Sequence, residues 1–161
     1  MRGPITNLLT DDHRRLDALL ERAELDRGAY AEFRAGLLRH IAMEEKILLP
    51  AAQQARGGEP LPIAARLRRD HGALAALLVP SPTAKILAAI RFILTDHNAV
   101  EEAPGGVYDV CEQLAADAAE ELLGRLRGRP EVPMTANVDG PRIMEAARRA
   151  LARAGYELDI E

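Results

Sequence analysis

The sequence predicts an all-α protein whose main part is an up-and-down four-helix bundle. Apolar residues recur at spacings of three and four along most of the chain, which is the period of a helix face. The composition is rich in Ala, Leu, Arg and Glu, only 3% aromatic and without Trp, a mixture typical of helices. Short stretches with Gly or Pro divide the chain into helix-length segments, and short connections make consecutive helices antiparallel.

The limits of the helices follow from capping and helix-breaking residues. Thr10 is expected to cap the first helix, Pro50 to kink the second, and Pro62 to occupy the first turn of the third. The sequence APGG separates the fourth helix from a fifth helical segment. We expect helices at residues 10–25, 29–55, 62–78, 83–102 and 107–126.

The length of the chain fits one main domain. With 161 residues it can enclose one hydrophobic core but not two of ordinary size. We assign residues 1–128 to the bundle and 129–161 to a Pro-rich linker with one amphipathic helix at 141–154. We expect this helix to pack on its own chain, and dimerisation is the alternative. Its apolar stripe consists of Ile143, Ala147, Leu151 and Ala154.

Charge and cysteine content argue against several classes of protein. The net charge is −4 with both signs interspersed, which does not favour nucleic acid as a partner. The basic stretches RLRR and RLRGR are interpreted as solvated helix surfaces. The one cysteine, Cys111, permits no intramolecular disulfide and is expected to be a buried apolar residue. Without a signal core or a membrane-length apolar run, the expected compartment is a reducing cytoplasm.

The chain has four histidines, one in each of the four main helices. Each lies on the apolar stripe of its helix. One such histidine is usually a core residue with a single hydrogen bond, but four buried imidazoles all need partners for their nitrogens. A shared metal centre would satisfy all four. The histidines are His13, His40, His71 and His97.

The positions of the histidines along their helices are consistent with a shared centre. His13 lies about 12 residues before the first connection and His40 about 11 residues after it. With a helical rise of ~1.5 Å per residue, both histidines are expected at the same height along the bundle axis. The same estimate places His71 and His97 about 9 Å apart along the bundle axis. Helix tilt or different helix ends have to absorb that mismatch.

Two helices repeat the motif HxxxEE, as HIAMEE and HNAVEE. A residue four positions on is rotated about 40° from the histidine, so Glu44 and Glu101 face inward beside His40 and His97. Two buried carboxylates beside imidazoles require cations. Four nitrogens and two oxygens suit iron, manganese or zinc rather than calcium or a soft copper site. The second glutamates of the motifs, Glu45 and Glu102, point away and are expected to be solvated or to support a ligand.

Four further residues have roles that the sequence leaves open. Asp12, Asp70 and Asp96 each directly precede a histidine and either orient an imidazole of a neighbouring helix or are surface acids. Tyr108 is a candidate proton donor, although its position after APGG does not follow from periodicity.

The four histidine segments resemble the motifs of hemerythrin-like (HHE cation-binding) domains. DDHRRLDALL, HIAMEEKILLP, RDHGALAALL and HNAVEE occur in the family's order, over about residues 8–126. The resemblance implies two iron ions joined by an oxo or hydroxo bridge, with manganese or zinc as substitutes. The four histidines would be terminal ligands, two per iron, and Glu44 and Glu101 would bridge the metals. Ferritin-like di-iron proteins use ExxH instead.

The chain departs from the family pattern in two places. Oxygen-carrying hemerythrins have a fifth histidine in the third helix, where this chain has Leu67 and Ala75 at the candidate positions. The remaining set resembles the di-iron domain of iron–sulfur cluster repair proteins, but these 161 residues include no counterpart of the cysteine-bearing N-terminal domain of those proteins. The second departure is APGG after Glu102, which either ends the fourth helix or leaves Glu102 freer to approach the site.

This ligand set predicts a non-haem di-iron protein that binds or reacts with O2, NO or peroxide. Two histidines, two carboxylate oxygens and a bridging oxygen leave one open position on each octahedral iron. Sensing, scavenging and iron–sulfur repair are the candidate roles, and whether the protein is an enzyme stays open. The alternatives are a metal-buffering protein, a structural helical module whose C-terminal helix binds a partner, and a zinc hydrolase, for which no nucleophile or general base stands out.

Overall fold

The computed structural model describes residues 2–161, whose regular structure is entirely helical. Four long helical units form an antiparallel bundle, which confirms the predicted all-α fold class. A π-helical turn at Glu44–Leu48 joins two of the helices into one unit. The helices are α1 (Pro4–Arg22), α2 (Arg27–Met43), α3 (Leu49–Ala55), α4 (Ala64–Leu77), α5 (Ala84–Glu102), α6 (Val107–Ala115), α7 (Ala119–Arg127) and α8 (Pro141–Arg153).

The first helix begins at Pro4 rather than at Thr10, so this predicted limit is wrong. Pro4 suits the first helical position because its missing N–H would have no partner there. Thr10 is buried inside the helix and does not cap it. The Glu112 carboxylate of α6 accepts hydrogen bonds from the backbone N–H groups of Ile5 (3.0 Å) and Thr6 (3.3 Å). A cap from so distant a residue leaves no local signal in the sequence.

A π turn lies directly before Pro50, where the sequence predicted a kink. Pro50 has no N–H to continue the hydrogen bonds of an α-helix, and a wider turn accommodates it. The N–H of Leu49 bonds to the carbonyl of Glu44, five residues earlier. Glu44 and Glu45, the acids of the first HxxxEE motif, open this turn. Such single π turns are frequent at functional sites.

The fifth predicted segment is two helices rather than one. α6 and α7 are separated by a short 3-10 turn, Ala116–Ala118, where Ala116 adopts a positive φ of 46°. A positive φ is uncommon outside glycine, and here it interrupts the helix. α6 packs against α1, α3 and α5, and α7 packs against α1 and the π turn. Together they cover one end of the bundle.

The buried apolar residues form two clusters on either side of the histidine level. The tail-side cluster includes Leu16, Phe33, Leu74, Ile90 and residues of α8. The cap-side cluster joins the opposite halves of the main helices to α6 and α7, and includes Leu9, Met43, Leu67, Tyr108 and Leu126. The site therefore lies between two apolar layers.

The C-terminal helix packs on its own chain, as expected. α8 lies against α4, and its Ala147 and Leu151 are buried in the tail-side cluster. Ile143 and Ala154 of the predicted stripe are half-buried at its edge. Within residues 2–161, no helix is long and apolar enough to cross a membrane.

Replacing Glu112 by alanine should lower the free energy of unfolding by about 1 kcal/mol, because two N–H groups at the start of α1 lose their acceptor. Urea denaturation of the metal-free protein measures this change. Glu120→Ala, at an exposed position in α7, is the control. Equal effects of the two substitutions would contradict the assigned cap.

Candidate metal centre

The four histidines meet at one level of the bundle and are all buried. The ring centroids of His13 and His40 lie 4.6 Å apart, and those of His71 and His97 lie 4.9 Å apart. His71 and His97 thus lie at the same height along the bundle axis, without the offset expected from the sequence. The reason is that the end of α4 and the start of α5 lie at different heights. The connection at residues 78–83 spans the difference between the end of one helix and the start of the next.

Each imidazole uses Nδ1 to contact a carboxylate from a neighbouring helical unit. A carboxylate accepts the Nδ1–H and thereby leaves the lone pair of Nε2 directed inward. The four contacts form a closed ring around the bundle. They join Asp12 to His40 (2.8 Å), Glu45 to His71 (2.9 Å), Asp70 to His97 (2.9 Å) and Glu102 to His13 (3.0 Å).

This ring settles the roles that the sequence left open for the neighbouring acids. Asp12 and Asp70 orient imidazoles of the next helix. Asp96 does not: its side chain is 69% exposed and pairs with Arg66 at 2.9 Å. Glu45 and Glu102 support imidazoles instead of being solvated. α5 ends at Glu102, so APGG terminates the helix directly after its last contact with the site.

Glu44 and Glu101 lie between the two histidine pairs and are 2% and 0% exposed. Glu101 Oε1 is 3.4 Å from His13 Nε2, and Glu101 Oε2 is 3.3 Å from His97 Nε2. Glu44 Oε1 is 3.2 Å from His71 Nε2. Donor atoms within 4.8 Å of one another form two groups, one of Glu44, His71, His97 and Glu101 and one of His13, His40 and Glu101.

Several inward-facing atoms of this layer lack hydrogen bonds. Within the described chain, Glu44 Oε1, Glu101 Oε2 and His71 Nε2 have no hydrogen-bond partner. A buried polar atom without a partner is destabilising by about 1–3 kcal/mol, and more if it is charged. A cation between the two glutamates would satisfy all three atoms, so the residues present fit a metal.

Protons compensate part of the buried negative charge when no cation is present. Burial lowers the pKa of His97, but the charge of Glu101 and the hydrogen bond to Asp70 outweigh it and raise that pKa to about 10. Burial also lowers the pKa of His71, but the hydrogen bond to Glu45 and the negative charge of Glu44, 3.2 Å from Nε2, outweigh it and raise that pKa to about 9. The two imidazoles therefore bind protons more tightly than free histidine does.

Tyr108 reaches the site from α6 and is completely buried. Its hydroxyl oxygen is 2.8 Å from Glu44 Oε2 and 2.9 Å from His13 Nε2. It is also 3.2 Å from both His40 Nε2 and Glu101 Oε1. The sequence left the position of this residue open, and the structure places its hydroxyl against one of the two donor groups.

A small cavity lies on the tail side of the same layer. Its volume is about 20 Å³, enough for a ligand of about the size of a water molecule. It is lined by apolar side chains from all four main helices and by polar groups, namely the four histidines, Glu44, Asp17 and Asn98. The apolar residues include Leu16, Leu37, Leu74 and Leu94.

The C-terminal segment contacts the histidine layer through Tyr156. Its hydroxyl donates a hydrogen bond to Asp70 Oδ1 at 2.9 Å, while Asp70 Oδ2 holds His97. Sequence analysis missed this residue because it follows α8, outside every histidine motif. Cys111 is buried as expected in the cap-side cluster, and burial raises the pKa of its thiol to about 12.

The thermal stability of the metal-free protein should fall as the pH rises from about 6.5 to about 10. The raised pKa values of His71 and His97 mean that the folded state binds protons more tightly than the unfolded chain. The resulting stabilisation is complete below the ordinary histidine pKa of 6.5 and is lost as the pH passes the folded-state values. Melting temperatures measured in chelator test this, with His71→Gln expected to show a shallower slope. A constant or rising melting temperature would contradict it.

Asp70→Asn should weaken metal binding by about 10–100-fold, because a neutral amide orients His97 less strongly than a carboxylate. Asp96→Asn is the matched control, since Asp96 also precedes a histidine but contacts none. Competition with a coloured chelator measures both dissociation constants. Indistinguishable constants for the two variants would refute the positioning role of Asp70.

Comparison with known proteins supports the same kind of site. The family model of the hemerythrin HHE cation-binding domain matches residues 5–126, which is most of the chain. No curated protein and no solved structure matches. The matched residues include all four histidines and both HxxxEE motifs. The chain belongs to the hemerythrin HHE cation-binding domain family.

Proposed function

We propose that the protein is a non-haem di-iron protein that binds or reacts with a small ligand such as O2, NO or peroxide. The proposed metal ligands are the four inward-facing imidazoles and the two glutamates between them. Manganese or zinc is the alternative metal for the same donors. The proposed ligands are His13, His40, Glu44, His71, His97 and Glu101.

The observation that carries the proposal is the arrangement of the two glutamates between the histidine pairs. Glu101 directs one oxygen toward His13 and the other toward His97. Glu44 Oε1 lies 3.2 Å from His71 Nε2 and 3.6 Å from His40 Nε2, and Glu44 Oε2 contacts the Tyr108 hydroxyl. Both carboxylates therefore lie within reach of both histidine pairs, which supports a bridging role for each of them.

The protein's own residues orient the donors and restrict access to them. The four carboxylates on the Nδ1 atoms fix the tautomer and the direction of each imidazole. The two apolar clusters exclude bulk water from both sides of the layer. When bound, reduced iron would supply the electrons and the open position that a diatomic ligand or a peroxide needs.

The size of the tail-side cavity favours a small-molecule ligand over an organic substrate. At about 20 Å³ it is too small for a metabolite, whereas a diatomic molecule is close to the size of the water molecule that it could hold. Sensing and scavenging both begin with such a ligand at the metal. The proposal therefore extends to ligand class and leaves the downstream role to be identified.

Protein purified from iron-supplemented cells should contain about two irons per chain and show ferric absorption bands that disappear on reduction. Glu101→Gln, which removes the negative charge and replaces one of the two carboxylate oxygens by an NH2 group, should retain less than half of this iron. Glu120→Gln, on the exposed surface of α7, is the control. Metal analysis and visible spectra measure both quantities. Zinc alone, or less than half a metal per chain after anaerobic reconstitution, would contradict the proposal and favour a buffering or structural role.

The reduced iron protein should react with NO or O2, which separates the proposed function from metal buffering. A buffering protein would hold the metal but show no spectral change with either gas. Anaerobic titration with NO, followed by electron paramagnetic resonance, measures the reaction directly. Complete absence of a change in iron-loaded protein would rule out the small-molecule function.

A further inference from the structure

We propose that Tyr108 is a seventh protein ligand of the metal centre. Its phenolate oxygen binds the metal held by His13 and His40, and the metal held by His71 and His97 alone keeps an open position. This inference rests on the proposed di-iron function and adds to it an inequivalence between the two metal positions.

The position of the hydroxyl oxygen fits that of a ligand. Neighbouring ligands of an octahedral metal with bonds of about 2.1 Å lie about 3.0 Å apart. The Tyr108 oxygen is 2.8 Å from Glu44 Oε2, 2.9 Å from His13 Nε2 and 3.2 Å from both His40 Nε2 and Glu101 Oε1. It therefore stands at the distance of a neighbouring ligand from every donor in this group. Among residues 2–161, the other histidine pair has no such hydroxyl contact.

A neutral hydroxyl cannot satisfy the atoms that surround it. In the neutral imidazoles that a metal site requires, Nδ1 of His13 and His40 donates to a carboxylate, so the Nε2 atoms facing Tyr108 are acceptors. The two glutamate oxygens are acceptors as well, so four acceptors face one O–H group. The single hydroxyl proton can form a hydrogen bond with one of these acceptors. The other three acceptors then face the lone pairs of the Tyr108 oxygen. A cation among these atoms replaces that repulsion with attraction to all five.

The turn before α6 holds Tyr108 in this position. Gly105 has a positive φ of 72°, and Gly106 packs so closely on the end of α5 that a Cβ would lie 2.6 Å from the carbonyl oxygen of Val100. α6 consequently begins directly beside Glu101. The ring is enclosed by the cap-side cluster, which leaves the side chain little freedom to move away from the site.

The proposal changes the count of open positions. Coordination forms one bond from the phenolic oxygen to the metal and releases the phenolic proton to solvent. Two nitrogens, two carboxylate oxygens, one phenolate and a bridging oxygen complete six positions on the metal near His13. The metal near His71 has one ligand fewer. The two open positions expected from the sequence become one.

Resonance Raman and visible spectra of the ferric protein test the proposal. The expected result is a phenolate-to-iron charge-transfer band, with enhanced ring vibrations, that Tyr108→Phe abolishes while about two irons per chain remain bound. The chain has three tyrosines, and Tyr30→Phe is the matched control that should keep the band. Tyr30 is buried in the tail-side cluster away from the site.

The wild-type protein decides the matter even if Tyr108→Phe fails to fold. Two bound irons without a phenolate band would overturn the Tyr108 proposal and leave the proposed function standing, whereas failure to bind iron would overturn both. Titration of the reduced protein with NO gives a second measurement. One NO per pair of irons in the wild type and two in Tyr108→Phe are expected, and two in the wild type would contradict the proposal.

Discussion

The burial of imidazoles and carboxylates in one layer of the bundle is the constraint on which the rest of the structure depends. Such a layer is destabilising unless every polar atom has a partner and the negative charge is compensated. The outer nitrogens find their partners in the closed ring of carboxylates, which links all four helical units. Because each contact joins neighbouring units, the ring also sets the rotation of every helix about its axis. The inward-facing nitrogens and carboxylate oxygens require a cation as their partner.

The two sides of this layer are built differently. On the cap side, the APGG turn and α6 bring a tyrosine against one donor group, and α6 in turn caps the first helix through Glu112. On the tail side, apolar side chains from the four helices and polar groups of the layer line a cavity of about 20 Å³. A tyrosine therefore closes the layer on the cap side, and a small cavity adjoins it on the tail side. An approximately symmetric set of motifs thus gives an asymmetric site.

The segment beyond the family match is physically connected to the site. α8 completes the tail-side cluster, and Tyr156 bonds to the carboxylate that orients His97. A hydrogen bond to this carboxylate restrains its rotation and so restrains the imidazole that it holds. The C-terminal residues therefore contribute to the stability of the bundle and to the geometry of its polar layer.

The periodicity of the sequence alone determined the fold class and the four main helices. It also determined that the histidines, Glu44 and Glu101 face inward, because the face that a residue occupies depends only on local helix geometry. Tertiary structure decided which acid supports which imidazole: Asp70 does and Asp96 does not, since the outcome depends on how neighbouring helices are rotated. It also decided the start of α1, whose cap comes from a distant glutamate. The position of Tyr108 beside the site was decided entirely by tertiary structure, because a non-helical turn precedes this residue and helical periodicity does not extend across such a turn.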